Sequence, residues 1–208
     1  MKRVDFYYDF SCPYAYLGHT QIEAVCARAG ADLVWKPMLL GGVFRAVGSP
    51  MQPGANMSVP KARLNELDMA RWADHFGAPL KRPETHPNRT VLALRTTIAS
   101  SDIPRASKAL FRAYWVSGLD VSQPDIVRAA LDEAGFDGAD LLRRADDPAV
   151  KDDLKARTDE AIAIGVFGAP TFLVTAPGVS GALYWGQDRL MFVEKALGGW
   201  NPKPASNG

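Results

Sequence analysis

The chain has 208 residues, 47% hydrophobic and 23% charged, with 24 basic and 23 acidic side chains and a formal net charge of +1. So apolar a sequence buries enough surface to offset chain entropy, which excludes disorder for most of it, and the near-neutral balance gives no electrostatic case for nucleic acid or an anionic membrane. No apolar stretch approaches the roughly 18–20 residues of a membrane span, and two cysteines are too few for a disulfide scaffold.

Val4 to Phe10 is short, aromatic and β-branched, and reads as a buried strand. Asp5 and Asp9 interrupt it, so it lacks the apolar run of a signal peptide, and the expected location is the cytosol. Pro13 suits the first turn of a helix, where its missing N–H costs nothing. Ile22, Val25, Cys26 and Ala29 then fall on one helical face, with Gly30 as the stop. Leu33 to Met38 is a second strand, so the first forty residues predict a right-handed βαβ unit.

Gly41 to Pro60, rich in Gly, Pro, Ser and Met, reads as a long loop. From Lys61 to Arg157 the breakers at Gly77-Ala78-Pro79, His86-Pro87, Ile103-Pro104, Gln123-Pro124 and Gly135 divide about five helices, with Asp102 and Ser122 as expected N-caps. Leu154, Thr158, Ala161 and Ile162 predict one more helix, ended by Gly165. Thr171–Val174 and Ala182–Trp185 form a hairpin around Pro177-Gly178, Asp188 opens a last helix, and 201–208 is a frayed tail. This order predicts an α/β fold, a thioredoxin-like core over 1–58 and 152–208 with a large all-helical insertion over 59–151.

Cys12 stands where a strand ends and a helix begins, the place where open α/β sheets bind ligands. Free amides and the helix dipole there favour thiolate, so its pKa is expected to be depressed. Cys26, mid-helix on the apolar face, reads as a packed core thiol. Ala169-Pro170 precedes a strand, and a cis bond there would turn the Ala169 backbone toward a ligand. Asp188 suits an N-cap and equally an acceptor for a ligand ammonium group. Trp72, Trp115, Trp200 and Tyr114 read as core, and His19 is the one histidine placed to approach Cys12. Three histidines and two cysteines at these spacings match no zinc pattern.

The sequence resembles the 2-hydroxychromene-2-carboxylate isomerases, a sister group of the kappa-class glutathione transferases and relatives of DsbA. The resemblance runs over nearly the whole chain. It rests on Asp9 to Leu17, Gly41-Gly42-Val43-Phe44, Pro60-Lys61, Arg95, Gly165 to Pro170 and Gly186-Gln187-Asp188-Arg189. It implies glutathione as cofactor, a small aromatic substrate and a homodimer. The implied reaction is conjugate addition of glutathione thiolate, bond rotation or ring opening, and expulsion of the thiol. The residue before Pro13 is then the active-site position, which in most such enzymes is a serine stabilising the thiolate.

This chain has Cys12 at that position, and Ala15 where DsbA-type oxidoreductases carry a second cysteine. Cys12 and Ser11 are therefore the expected catalytic residues. Lys61 is implied for a glutathione carboxylate, Ala169 and Pro170 for the cysteinyl backbone, and Gln187 and Asp188 for the γ-glutamyl end. Ser49 stands where the family often has an asparagine. The alternatives are a kappa-like transferase or peroxidase, a monothiol thiol–disulfide oxidoreductase using Cys12, and a non-catalytic thiol-binding module.

Overall fold

In a computed structural model, residues 1–202 are described. The strands are β1 (Arg3–Tyr8), β2 (Asp32–Pro37), β3 (Thr171–Ala176) and β4 (Val179–Trp185). The helices are α1 (Pro13–Ala29), α2 (Leu40–Ala46), α3 (Val59–His75), α4 (Val91–Ala99) and α5 (Ile103–Trp115), followed by α6 (Pro124–Glu133), α7 (Gly138–Arg144), α8 (Pro148–Ala163) and α9 (Leu190–Leu197). The expected tail lies, from 203 on, outside the described residues.

The strands form one sheet in the order β2-β1-β3-β4. β1 pairs parallel to β2, as the βαβ reading requires, and antiparallel to β3; the β3–β4 hairpin closes the sheet. This is the thioredoxin-like arrangement expected from the element order. β1 is the centre of the sheet with both faces covered, so Val4 to Tyr8 are all buried rather than alternating. Phe6 sits opposite Phe172 in the register and stacks on it at 5.3 Å. Tyr8, Phe10 and Phe111 continue this aromatic core.

Local chemistry explains the elements. Pro13 starts α1, and Gly30 ends it in the left-handed region at φ 61°. Asp102 caps α5, accepting from the Arg105 amide at 3.0 Å. Gly18 lets α1 press against the third strand: a Cβ there would meet Phe172 at 3.2 Å and Pro170 at 3.4 Å.

Five details depart from the sequence reading. The stretch 41–60 is not all loop, because most of α2 and a 3-10 turn at Pro53–Asn56 form within it. Ser122 does not cap α6; Gln123 holds that position, and the Ser122 amide donates instead to Asp120 at 2.9 Å. Asp188 does not cap α9 either. It lies in a 3-10 turn at Gln187–Arg189, and Arg189 is the residue before the helix. Trp200 is 41% exposed, stacked on Phe192 rather than placed in the core. Residue 152, where composition divides insertion from core, lies inside α8.

Candidate active site

The turn between β1 and α1 is fixed by a buried carboxylate. Asp9 Oδ1 accepts from the Ser11 amide and hydroxyl, each at 3.0 Å, and from Thr90 Oγ1 at 2.7 Å. Its Oδ2 accepts from the Leu40 amide at 2.9 Å. Leu40 begins α2 and Thr90 precedes α4, so one side chain ties three elements to the end of β1. Burial pushes the Asp9 carboxyl above its usual range, and these donors pull it back. Nearby, Trp115 Nε1 donates to the Phe10 carbonyl at 2.8 Å, fastening α5 to the same corner.

Cys12 is the N-cap residue of α1 and makes no side-chain cap hydrogen bond. Its Sγ instead donates to the Ala169 carbonyl oxygen at 3.0 Å. The Ala169–Pro170 bond, whose isomer the sequence left open, is cis. The expected depression of the thiol pKa is overturned. Burial pushes Cys12 up to about 12, and the Ala15 and Tyr14 amides at the helix start offset only part of that. Desolvation outweighs the dipole because Cys12 is only 8% exposed, and a helix terminus contributes at most about 2 kcal/mol even when partly buried. Cys12 is therefore a neutral S–H donor at physiological pH.

Beside this sulfur opens a cleft of about 170 Å³. Ala169, Gln187 and Asp188 line it from one side, Tyr14, Asp68 and Trp72 from the other. Trp185 and Arg189 complete the rim. The Tyr14 hydroxyl donates to Asn65 Oδ1 at 2.8 Å. Burial first, then the nearby carboxylates Asp68 and Asp188, hold the Tyr14 phenol up at about 12. Both carboxylates therefore face one small space. Asp188 pairs with Arg189 at its outer edge. Gly186 makes this geometry accessible: its φ is +100°, and a Cβ there would stand 2.5 Å from Asp188 Oδ1.

A scan against family models matches residues 3–198 to the DSBA-like thioredoxin domain. The chain belongs to the DSBA-like thioredoxin domain family. Among curated relatives, a 2-hydroxychromene-2-carboxylate isomerase from Sphingobium xenophagum is 27% identical over 197 residues, covering 94% of this chain and 98% of its own. A kappa 2 glutathione S-transferase from Caenorhabditis elegans is 29% identical over 204 residues, covering 91% and 88%. A solved 2-hydroxychromene-2-carboxylate isomerase shares the fold with a TM-score of 0.77, at 24% identity over 94% of each chain.

Set on this DSBA-like frame, the expected site residues separate. Ala169, Gln187 and Asp188 line the cleft, while Cys12 and Pro170 stand behind its wall, Cys12 bonded to the Ala169 carbonyl and Pro170 joined to Ala169 by the cis bond. Ser11 is not on the cleft wall, and its hydroxyl hydrogen is directed to Asp9. Lys61 is exposed and off the cleft wall, in the first turn of α3. It nevertheless shares a helical face with Asn65, Asp68 and Trp72, spaced four, seven and eleven positions on. Ser49 is half-buried, its amide donating to Phe44 O at 2.9 Å, and it is not on the wall. Of the residues read as core, Trp72 instead lines the cleft. His19 does not reach Cys12; it stacks on Phe111 at 4.6 Å. Sequence reasoning missed Asp68 and the clamping role of Asp9. The stripe from Lys61 to Trp72 was the available signal for Asp68.

No helix among the described residues is long and apolar enough to cross a membrane.

Proposed function

We propose that the protein is a glutathione-dependent isomerase acting on 2-hydroxychromene-2-carboxylate-like aromatic substrates. The observation that carries this reading is Cys12 held as a neutral S–H donor beside the cleft, with no second thiol to resolve a disulfide. Ala15 occupies the place of a resolving cysteine, and Cys26 is buried mid-helix. A neutral thiol can donate to an incoming thiolate as a serine hydroxyl would. To do so the Cys12 hydrogen turns from the Ala169 carbonyl on the cleft wall, whereas the Ser11 hydrogen is on the buried Asp9 carboxyl that fixes the turn.

The donor set fits glutathione. Asp68 and Asp188 supply negative charge for an ammonium group, and Gln187 a side-chain amide beside them. The Ala169 backbone presents an amide to a peptide-like unit. Lys61, at the end of the same helical stripe, supplies a cation for a terminal carboxylate. Glutathione, when bound, supplies a thiolate nucleophile that can add to and leave a conjugated carbonyl substrate. Cys12 and the amides at the start of α1 stabilise that negative charge. Tyr14, kept protonated by its surroundings, remains a donor on the opposite wall. Trp72 and Trp185 offer apolar surface to an aromatic ring. The homodimer, implied by the resemblance, and the cytoplasmic location, expected from the sequence, belong to this reading.

The test is isomerisation of 2-hydroxychromene-2-carboxylate, followed by absorbance with and without glutathione, in the wild type, Cys12→Ser and Cys12→Ala. Turnover that requires glutathione, survives in Cys12→Ser and drops about a hundredfold in Cys12→Ala is expected. Absence of glutathione-dependent isomerisation would overturn the reading. If it came with a glutathione adduct by intact mass, lost in both variants, the monothiol oxidoreductase would replace it. Conjugation or peroxide reduction without isomerisation would favour the kappa-type activity instead.

A further inference from the structure

A second cleft is larger than the one beside Cys12. It lies between α5 and α6, holds about 390 Å³, and shares no residue with the first. Its size falls within the range of small-molecule sites, roughly 300–1,000 Å³. Its floor is apolar, formed by Ala109, Ala113, Leu119, Ile126 and Ala130. Its rim carries Arg105, Lys108 and Arg112, at i, i+3 and i+7 along one face of α5.

These cations are not equivalent. Arg105 lies 4.1 Å over the Phe136 ring and 3.6 Å from Asp102. Lys108 reaches Glu23 at 2.7 Å. Arg112 makes no ion pair among the described residues, and its planar fork of donors suits a carboxylate. Glu133 is the one carboxylate on the walls, and Arg105 and Lys108 are paired with carboxylates off them, so Arg112 is the rim cation left for an anion. An apolar floor beneath that cation matches a ligand with an apolar body and an anionic head.

We infer that this cleft binds a small aromatic carboxylate, with Arg112 on the carboxylate and the ring on the alanine-lined floor. Arg105, over the Phe136 ring and paired with Asp102, borders the floor at its other end. The inference does not depend on the function proposed for the Cys12 cleft.

The experiment uses 2-naphthoate as probe and calorimetry on the full chain at low salt. One saturable site is expected, with a Kd at or below about 1 mM. Arg112→Ala weakens it about tenfold, and Ala129→Leu, which fills the rim, weakens it as well. The neutral analogue 2-naphthalenemethanol binds about tenfold more weakly than the acid. Asp188→Asn and saturating glutathione leave the affinity unchanged, which distinguishes this cleft from the other. Both cleft variants change surface positions, and an unchanged urea midpoint confirms that each is folded. No saturable binding would overturn the inference. So would binding that Arg112→Ala and Ala129→Leu leave intact, or binding that glutathione displaces.

Discussion

The sulfur of Cys12 donates a 3.0 Å hydrogen bond to the carbonyl oxygen of Ala169, a residue 157 positions away in the chain. This contact joins the start of α1 to the strand entry at the other end of the sequence. It also consumes the thiol hydrogen, so the resting group is S–H and not S⁻.

The alkylation of Cys12 follows from that state. With its pKa pushed up to about 12, the thiolate fraction at pH 8 is on the order of 10⁻⁴. Iodoacetamide should therefore label Cys12 slowly, and the rate should rise about tenfold per pH unit from pH 7 to 9.5 without levelling. Peptide-level mass spectrometry separates it from Cys26, which burial holds at about 11. An inflection below pH 8 would show an activated thiolate and return Cys12 to the redox reading.

Asp9→Ala should be among the most destabilising single changes in the chain. It leaves the Leu40 and Ser11 amides and the Thr90 hydroxyl without their acceptor in a buried corner. The expected loss is about 3 kcal/mol in urea unfolding. Asp9→Asn should cost less, since Oδ1 keeps three of its donors, while its amide group would face the Leu40 N–H. Equal stability of wild type and Asp9→Ala would mean that water replaces the carboxylate.

The two carboxylates of the cleft should act on glutathione binding rather than on stability. Asp68→Asn and Asp188→Asn are each expected to raise the KM for glutathione about five- to tenfold with kcat little changed. Unfolding free energies should move by less than about 0.5 kcal/mol, as neither carboxylate anchors the core. Because both face the same space, the double variant should fall short of the product of the single effects. A purely multiplicative result, or a change in kcat alone, would place them at separate sites.

Much of the fold was legible because it is written locally. Pro13, Gly30, Asp102 and Pro177-Gly178 act within a few residues, and each does in the structure what its chemistry requires. The aromatic run of β1 announced a strand covered on both faces. What could not be read depends on distant partners. Nothing near Asp9 indicates that Leu40 and Thr90 donate to it. The helix position of Cys12 was visible in sequence, but the burial that reverses its pKa comes from elements far along the chain. Asp188 looked like a cap, and the positive φ of Gly186 folds it toward the cleft instead. The cleft wall was thus legible at Ala169, Gln187 and Asp188, and not along α3, where Asp68 and Trp72 line it.

Stability below neutral pH should depend on His19. Its ring is stacked on Phe111, with Nδ1 against the Tyr16 carbonyl, and burial lowers its pKa to about 4. In the unfolded chain a histidine titrates near 6.5. Between these values the unfolded state binds a proton that the folded state refuses, so stability rises with pH there and is lost as pH falls toward 4. The slope approaches about 1 kcal/mol per pH unit for this residue. His86, also lowered to about 4 by burial, adds to the same limb. His19→Phe preserves the stack and removes the titration. Between pH 7 and 5 the wild type should lose about 1–2 kcal/mol more than this variant in urea unfolding. Parallel losses in the two proteins would show that His19 accepts its proton in place, with the folded state binding it as readily as the unfolded one.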